Sequence, residues 1–541
     1  MTPDRRQFLR RAAAVVSAGS FPSWGHAADP VARGLVTGQP QGAEAGTAVL
    51  AAGGNAVDAA VAAALVAGVV AVPSTGIGGY GGHLVVAKPG GAVTAIDFNM
   101  AAPAAARPDL FPADEKGAVP GDVNSHGWLA AGVPGVLAGL QLALDKFGTK
   151  TFPELVKPAI RYARDGFPIP RGLANAIKAA RGRFAQDPGS AKLFLRNGEP
   201  LAEGATFRNP DLADMLQALA DKGRVDAFYK GEIADKIAAT FRTNGGLVTA
   251  DDLAAYRAAE VKPLALEWQS YTLYTPPPTA GGLTVLQALA CLKALGWAEW
   301  DPKDPATAQA RVEALRIAWA DRLRLLGDPK HADVPVEKLL SERYAKESAE
   351  RVRVAVRDKK PVEGVADKRP AGGTIHLNAV DGTGMAVALT FTHGNAFGAQ
   401  VTVDGLGLVL GHGMSRFDPR PGRPNSVGPG KRPLHNMCPT VVTKNGKPVL
   451  AIGATGGRRI PNTLCDVLAY RVGEGKPLAD AVKAPRVHTE GDLALSLEAS
   501  WPAAVVERFK QAGYAVKTGG GASLSAIERD PKTGELTKAA R

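Results

Sequence analysis

Ala371-Gly372-Gly373-Thr374-Ile375-His376 is the stretch where a helix-rich chain becomes a strand-rich one. Small residues run into a threonine. From Thr374 to Asp381, and again from Met385 to Thr392, β-branched and apolar residues form strand-like runs around Gly382-Thr383-Gly384. The pattern predicts a β-hairpin. With the turn centred on Thr383, Thr374 lies opposite Thr392, and directly opposed residues project to the same face. On the hairpin alone this is a Thr–Thr cross-strand pair. Its surroundings supply a second reading, in which Thr374 is a nucleophile at a strand start.

Downstream, short strands at Val401 to Val403 and Gly407 to Leu410 precede a Pro/Gly/Arg loop from Asp418 to Pro433. Strands Thr440 to Thr443 and Val449 to Ile452 then lead into Gly453-Ala454-Thr455-Gly456-Gly457-Arg458-Arg459-Ile460, with a helix starting near Asn462 and two more around 479–484 and 502–512. Upstream, residues 355–373 carry Asp358-Lys-Lys and Asp367-Lys-Arg and read as an exposed, mobile segment. Residues 127–330 are mostly helical. Val312, Leu315, Trp319, Leu323 and Leu326 form one stripe of a helix ending at Gly327, and Tyr271 to Thr275 is a strand stopped by prolines. Ala43 to Val70 reads as two helices joined at Gly53-Gly54, with Asn55 as N-cap and Asp58 in the first turn of the second. The order implies an α+β fold with sheets covered by helices.

Gly76-Ile77-Gly78-Gly79-Tyr80-Gly81 matches the spacing G-x-G-x-x-G, and Asp97 follows at a suitable distance. A dinucleotide site needs a strand before and a helix after. Here a helix precedes and His83 to Ala87 follows as a strand, so these glycines are read as close backbone packing under a site.

No G-x-S-x-G, H-E-x-x-H or C-x-x-C occurs. Threonine is a poor nucleophile unless a base adjoins it. Cutting the Gly373–Thr374 bond would create that base as a new α-amine. Its unperturbed pKa near 8 suits proton transfer near neutral pH. Backbone N–H groups of Gly456 and Gly457 are candidates to stabilise an oxyanion.

The chain has 541 residues, 45% hydrophobic and 21% charged, enough for a large core, and no linker or repeat divides it. The net charge of +12 is scattered rather than blocked, which argues against a nucleic-acid partner. Asp4-Arg5-Arg6-Gln7-Phe8-Leu9, the apolar run Ala12 to Phe21, and Gly25-His26-Ala27 read as a twin-arginine export signal over residues 1–27, implying a periplasmic destination. The run is too short to anchor the mature chain in a membrane. Cys291, Cys438 and Cys465 permit one disulfide but do not require it.

Taken together, Gly53-Gly54-Asn55-Ala56-Val57-Asp58, Gly76-Ile77-Gly78-Gly79, Val133-Pro134-Gly135, Pro277-Pro278-Thr279-Ala280-Gly281-Gly282, Ala320-Asp321-Arg322, Gly373-Thr374-Ile375-His376, Asn425-Ser426-Val427-Gly428-Pro429, Lys431-Arg432-Pro433-Leu434 and Gly456-Gly457 resemble the γ-glutamyltransferases, which are N-terminal-nucleophile hydrolases. The resemblance spans nearly the whole mature chain. It implies a single-domain, four-layer αββα sandwich and self-cleavage into a large subunit, 28–373, and a small subunit, 374–541, that stay associated. It further implies Thr374 as nucleophile, Thr392 as the hydroxyl that helps activate it, Gly456-Gly457 as the oxyanion hole, and no metal or organic cofactor. The partners implied are a small amide substrate and a water or amine acceptor.

The departures concern the acyl-binding end. Asn99 stands where the family has an Arg for the glutamyl α-carboxylate, Arg416 where an acid binds the α-ammonium, His435-Asn436 where a Ser-Ser pair stands, and Gly394 where an Asn stands. The expectation is an acyl-threonine amidohydrolase or acyltransferase acting on a carboxylate-bearing acyl group without the ammonium. The alternatives are a true γ-glutamyl transpeptidase with a rebuilt pocket, and a binding or scaffold protein without turnover.

Overall fold

Asp381 organises the hairpin turn. Its carboxylate accepts N–H groups from Thr383 at 2.9 Å and Met385 at 3.1 Å, and its second oxygen accepts the N–H of Ala56 at 3.0 Å. The hairpin is thereby tied to the N-terminus of a helix, where a negative charge is favourable. The computed structural model describes residues 33–115, 117–365 and 373–541.

In chain order the main strands are β1 (Gly34–Thr37), β2 (Gly81–Ala87), β3 (Val93–Asp97), β4 (Ala259–Val261), β5 (Leu264–Trp268), β6 (Tyr271–Thr275), β7 (Gly373–Asp381), β8 (Ala386–Gly394), β9 (Thr440–Lys444), β10 (Lys447–Thr455), β11 (Ser523–Arg529) and β12 (Leu536–Ala540). They form two antiparallel six-stranded sheets, ordered β1-β7-β8-β2-β3-β4 and β12-β11-β10-β9-β6-β5. Val380, Ala388, Val441, Ala451 and Ile527 form an apolar layer between the sheets.

Helices cover both outer faces. Against the first sheet lie α1 (Pro40–Ala51) and α2 (Ala56–Val70) with the helices between Val136 and Ala255. Against the second lie α3 (Gly282–Leu295), α4 (Pro305–Leu325), α5 (Glu342–Asp358) and α6 (Arg459–Leu468). The architecture is the expected four-layer αββα sandwich. Every residue of α2 is buried, and Asn55 with Asp58 forms a capping box at its start. Asp58 also accepts N–H groups from Thr149 and Lys150, which explains how a carboxylate is tolerated at 0% exposure.

The hairpin has the expected register from Ile375↔Phe391 to Val380↔Ala386, but it shifts at Thr374, where Gly373 pairs with Gly394. The segment expected to be mobile from residue 355 is instead helical to Asp358, because Val352 and Ala355 are buried on α5. Its end, 366–372, lies outside the described residues, as does the expected export signal. The C-terminal part also holds strands that periodicity did not reveal, at Val487–His488, Ala494–Leu497, Ala515–Thr518, β11 and β12. The glycines from Gly76 to Gly81 lead into β2 rather than a helix, which removes the dinucleotide reading. A Cβ on Gly79 would lie 2.8 Å from the carbonyl oxygen of Thr392, so the loop packs directly against the hairpin. Among the described residues no helix is long and apolar enough to cross a membrane, no group of side chains could hold a metal ion, and the three cysteines are free and buried.

Candidate active site

The bulge at the start of β7 concentrates two hydroxyls on one carbonyl. Thr374 and Thr392 are 3% and 1% exposed. The Oγ1 atoms of both donate to the carbonyl oxygen of Gly373 at 2.6 Å. Thr392 Oγ1 is itself oriented, because it accepts the N–H of Gly394 at 2.7 Å. A carbonyl with two hydroxyl donors is polarised toward addition at its carbon.

The turn after β10 reaches the same end of the sandwich. Val380 shares a core layer with Ala451 and Ile527, and a Cβ on Gly453 would lie 2.2 Å from the ring of His376. Numbers fall along β7 as they rise along β10, so the start of β7 and the end of β10 lie toward the same end of the sandwich. Gly456 and Gly457 have φ of +146° and +61°, values that favour glycine. No acceptor among the described residues takes either N–H.

A cavity of about 40 Å³, open to solvent, is lined in part by Arg458, the residue that follows this turn. Arg322, Arg416, Arg423, Arg458, Asp418 and Asn436 supply its charged and much of its polar lining. Arg458 pairs with Glu490, and Asp418 pairs with Arg420 at 2.8 Å. Arg322 donates to the carbonyl oxygen of His435 at 2.7 Å, with its guanidinium 5.7 Å from the Trp319 ring. Arg416 is half-buried, and its Nη2 lies 2.7 Å from Nε2 of His412.

The five residues expected at the acyl-binding end separate into two groups. Arg416 and Asn436 line the cavity. Asn99, His435 and Gly394 are not part of its lining. Asn99 is fully buried, and its amide donates to Thr279 Oγ1 and the Pro433 carbonyl, both at 2.8 Å. The ring of His435 turns inward, 4.8 Å from that of His83, and its Nδ1 accepts the Met437 N–H at 3.2 Å. Burial, then the neighbouring His83, Arg322 and Arg416, hold its pKa well below the ordinary histidine value, so it is neutral.

Sequence reading passed over Arg322, Arg458 and His412. Arg322 belongs to the motif Ala320-Asp321-Arg322, and a charge four residues from Leu326 beside an apolar stripe is its usable signal. Arg458 directly follows the glycine pair. Nothing in the sequence marks His412.

The Gamma-glutamyltranspeptidase family model matches residues 42–541. The chain belongs to this family. It is 37% identical over 461 residues to the glutathione hydrolase proenzyme of Escherichia coli (strain K12), covering 82% of this chain and 79% of the relative. It is also 34% identical over 522 residues to the acylase ACY 1 proenzyme of Pseudomonas sp. (strain SE83), covering 94% and 91%. The cephalosporin acylase of Bacillus halodurans superposes with a TM-score of 0.84 at 27% identity, covering 98% of both chains. This γ-glutamyltranspeptidase-family chain is therefore an enzyme of amidohydrolase or transpeptidase type on the N-terminal-nucleophile hydrolase fold.

Proposed function

We propose that the protein cuts itself before Thr374 and then cleaves amides through an acyl ester on that residue. The observation that carries this reading is the Gly373 carbonyl, held at 2.6 Å by the hydroxyls of Thr374 and Thr392. In self-cleavage Thr374 Oγ1 adds to the Gly373 carbonyl carbon and its proton passes to the departing nitrogen. The resulting ester is hydrolysed by water, leaving the Gly373 carboxylate and a free Thr374 α-amine. In turnover that amine takes the Oγ1 proton as the hydroxyl attacks the substrate amide, and returns it to the leaving amine. The N–H groups of Gly456 and Gly457 receive the oxyanion. Water or an amine then takes the acyl group. Residues 28–373 and 374–541 become the two subunits, and residues 1–27 direct export to the periplasm.

The acyl group we assign ends in a carboxylate and lacks an α-ammonium. Water exclusion requires each buried charge of a donor to be matched. Arg416 on the cavity wall matches a carboxylate and repels an ammonium. Nη2 of Arg416 lies 2.7 Å from Nε2 of the buried His412, which fixes the guanidinium at the cavity wall. Mono-amides of small dicarboxylic acids, such as glutaryl or succinyl amides, fit. The relative named as a glutathione hydrolase favours a second reading, a γ-glutamyl transpeptidase with a rebuilt pocket.

Mass spectrometry of the purified protein tests the first step. A fragment beginning Thr374-Ile375-His376 is expected, and Thr374→Ala should remain one chain; cleavage of that variant at the same bond overturns the assignment. For the donor, a glutaryl anilide should exceed the γ-glutamyl anilide in kcat/KM. The opposite order leaves the transpeptidase reading standing.

A further inference from the structure

We propose that His412 is a positioning residue that aims Arg416 at the donor carboxylate, and that it does so from space left open by Gly394. This rests on the reading of Arg416 given above. Three observations lead to it.

The first is steric. A Cβ on Gly394 would lie 2.0 Å from both Cδ2 and Nε2 of the His412 ring, and Gly394 has φ +98°. The ring therefore fills the volume that a side chain at position 394 would need.

The second fixes the tautomer. Nδ1 of His412 lies 3.1 Å from the carbonyl oxygen of Ser125, which can only accept, so Nδ1 carries the proton. Nε2 is then a lone-pair acceptor. It faces the N–H of Asn395 at 2.7 Å and Nη2 of Arg416 at 2.7 Å. Both donors converge on one nitrogen, which orients the guanidinium.

The third is placement. His412 is 0% exposed, so its ring is held by packing rather than by solvent. Arg416 lies on the short helical turn Gly413–Arg416 that follows it. Arg416 lines this cavity and also a second one of about 220 Å³ bounded by Ser125 and Asn395. Between two cavities the guanidinium has two directions available, and its Nη2 is held by His412 Nε2 at 2.7 Å with Asn395 Oδ1 at 3.4 Å. Gly394 also donates its N–H to Thr392 Oγ1, so one residue abuts both the activating hydroxyl and the ring behind Arg416. Donor choice is thus set by a group that never touches the donor.

The test uses the processed enzyme with three anilide donors: glutaryl, γ-glutamyl and butyryl, the last uncharged. His412→Phe keeps a ring but removes the acceptor nitrogen. It should lower kcat/KM for the glutaryl donor roughly tenfold, chiefly through KM, the size of one misdirected charge-assisted hydrogen bond. The butyryl donor should fall by a clearly smaller factor. His412→Gln, whose side-chain oxygen can stand in for Nε2, should recover most of the glutaryl preference. Gly394→Ala leaves His412 intact but displaces its ring, so it should erode the same preference and keeps the test open if His412→Phe does not fold. Equal losses on glutaryl and butyryl donors would mean packing alone and overturn the proposal. So would an Arg416→Met enzyme that loses the preference while His412→Phe and Gly394→Ala retain it. If Arg416→Met itself leaves the preference unchanged, the substrate reading fails and the role of His412 falls with it.

Discussion

The two ends of the site are built differently. At the proposed reacting end two short side chains, Thr374 and Thr392, work with backbone groups: the carbonyl of Gly373, the N–H of Gly394 and the N–H groups of Gly456 and Gly457, carried by β7, β8 and the turn after β10. At the proposed acyl end the lining is of long side chains: Arg322, Arg416, Arg423 and Arg458 reach a cavity from separate elements. Backbone groups keep their places whatever side chains surround them, so the chemistry resists sequence change. A wall of side chains is rebuilt by a few substitutions, so the donor is where relatives on one fold diverge. That fits a family whose members carry both the names glutathione hydrolase and acylase.

The largest expected effect breaks the reacting end alone. Thr374→Ala should abolish self-cleavage and lower turnover by at least ~10⁴-fold on every donor, as removal of a nucleophile does. A protein that still turns over a glutaryl anilide at a comparable rate would place the chemistry elsewhere. Next, Thr392→Ala should slow cleavage and turnover together, by roughly 10²–10³-fold, the range for one lost donor at a polarised carbonyl. Gel-resolved cleavage time courses and donor kinetics would show it; unchanged rates would remove Thr392 from the mechanism.

Arg416→Asp addresses the acyl end. Reversing a charge against a carboxylate at a half-buried position costs about 1.5–3 kcal/mol, so the glutaryl-to-γ-glutamyl ratio should fall about 10–100-fold while self-cleavage proceeds. A ratio that stays put would separate Arg416 from donor choice.

The smallest effect, per unit of pH, concerns the scaffold common to both ends. Burial lowers the pKa of His376 to about 4 and of His393 to about 3. The unfolded chain takes up protons near pH 6.5 that the folded chain refuses. Stability is therefore fully present above about pH 6.5 and is lost as pH falls toward 4, by about 1.4 kcal/mol per unit for each histidine. Urea midpoints measured from pH 7 to 4 should fall along that slope. His376→Phe would sharpen the result, since a flattened slope in that variant assigns its share.

Much of this was readable beforehand, and the misses share causes. The hairpin was legible because two β-branched runs flank one glycine turn. Its register was lost only at Thr374, because a register counted from the turn holds until the first bulge. Residues 355–358 looked exposed because charges dominate them, while the buried Val352 and Ala355 that continue the helix sit between those charges. β11 escaped notice because Glu528 and Arg529 dilute its alternation; Glu528 pairs with Arg471 rather than facing solvent alone. Asn99 and Arg416 were located by resemblance, but whether a side chain lines a cavity depends on packing from distant elements. His435 shows it, turned inward against His83 by a partner 352 positions earlier in the chain.

The order of strands in the two sheets has a consequence for the life of the molecule. β7 and β8 sit between β1 and β2, and β9 to β12 complete a sheet begun by β5 and β6. A cut between the first two residues of β7 therefore divides the covalent chain while both sheets keep their strands. Before the cut, folding is a search within one molecule, and its rate does not depend on concentration. Afterwards the same contacts join two interleaved chains, and recovery from unfolding becomes a bimolecular encounter. The mature enzyme would persist by the slowness of its unfolding rather than by its capacity to refold. Self-cleavage would then make it a structure assembled once.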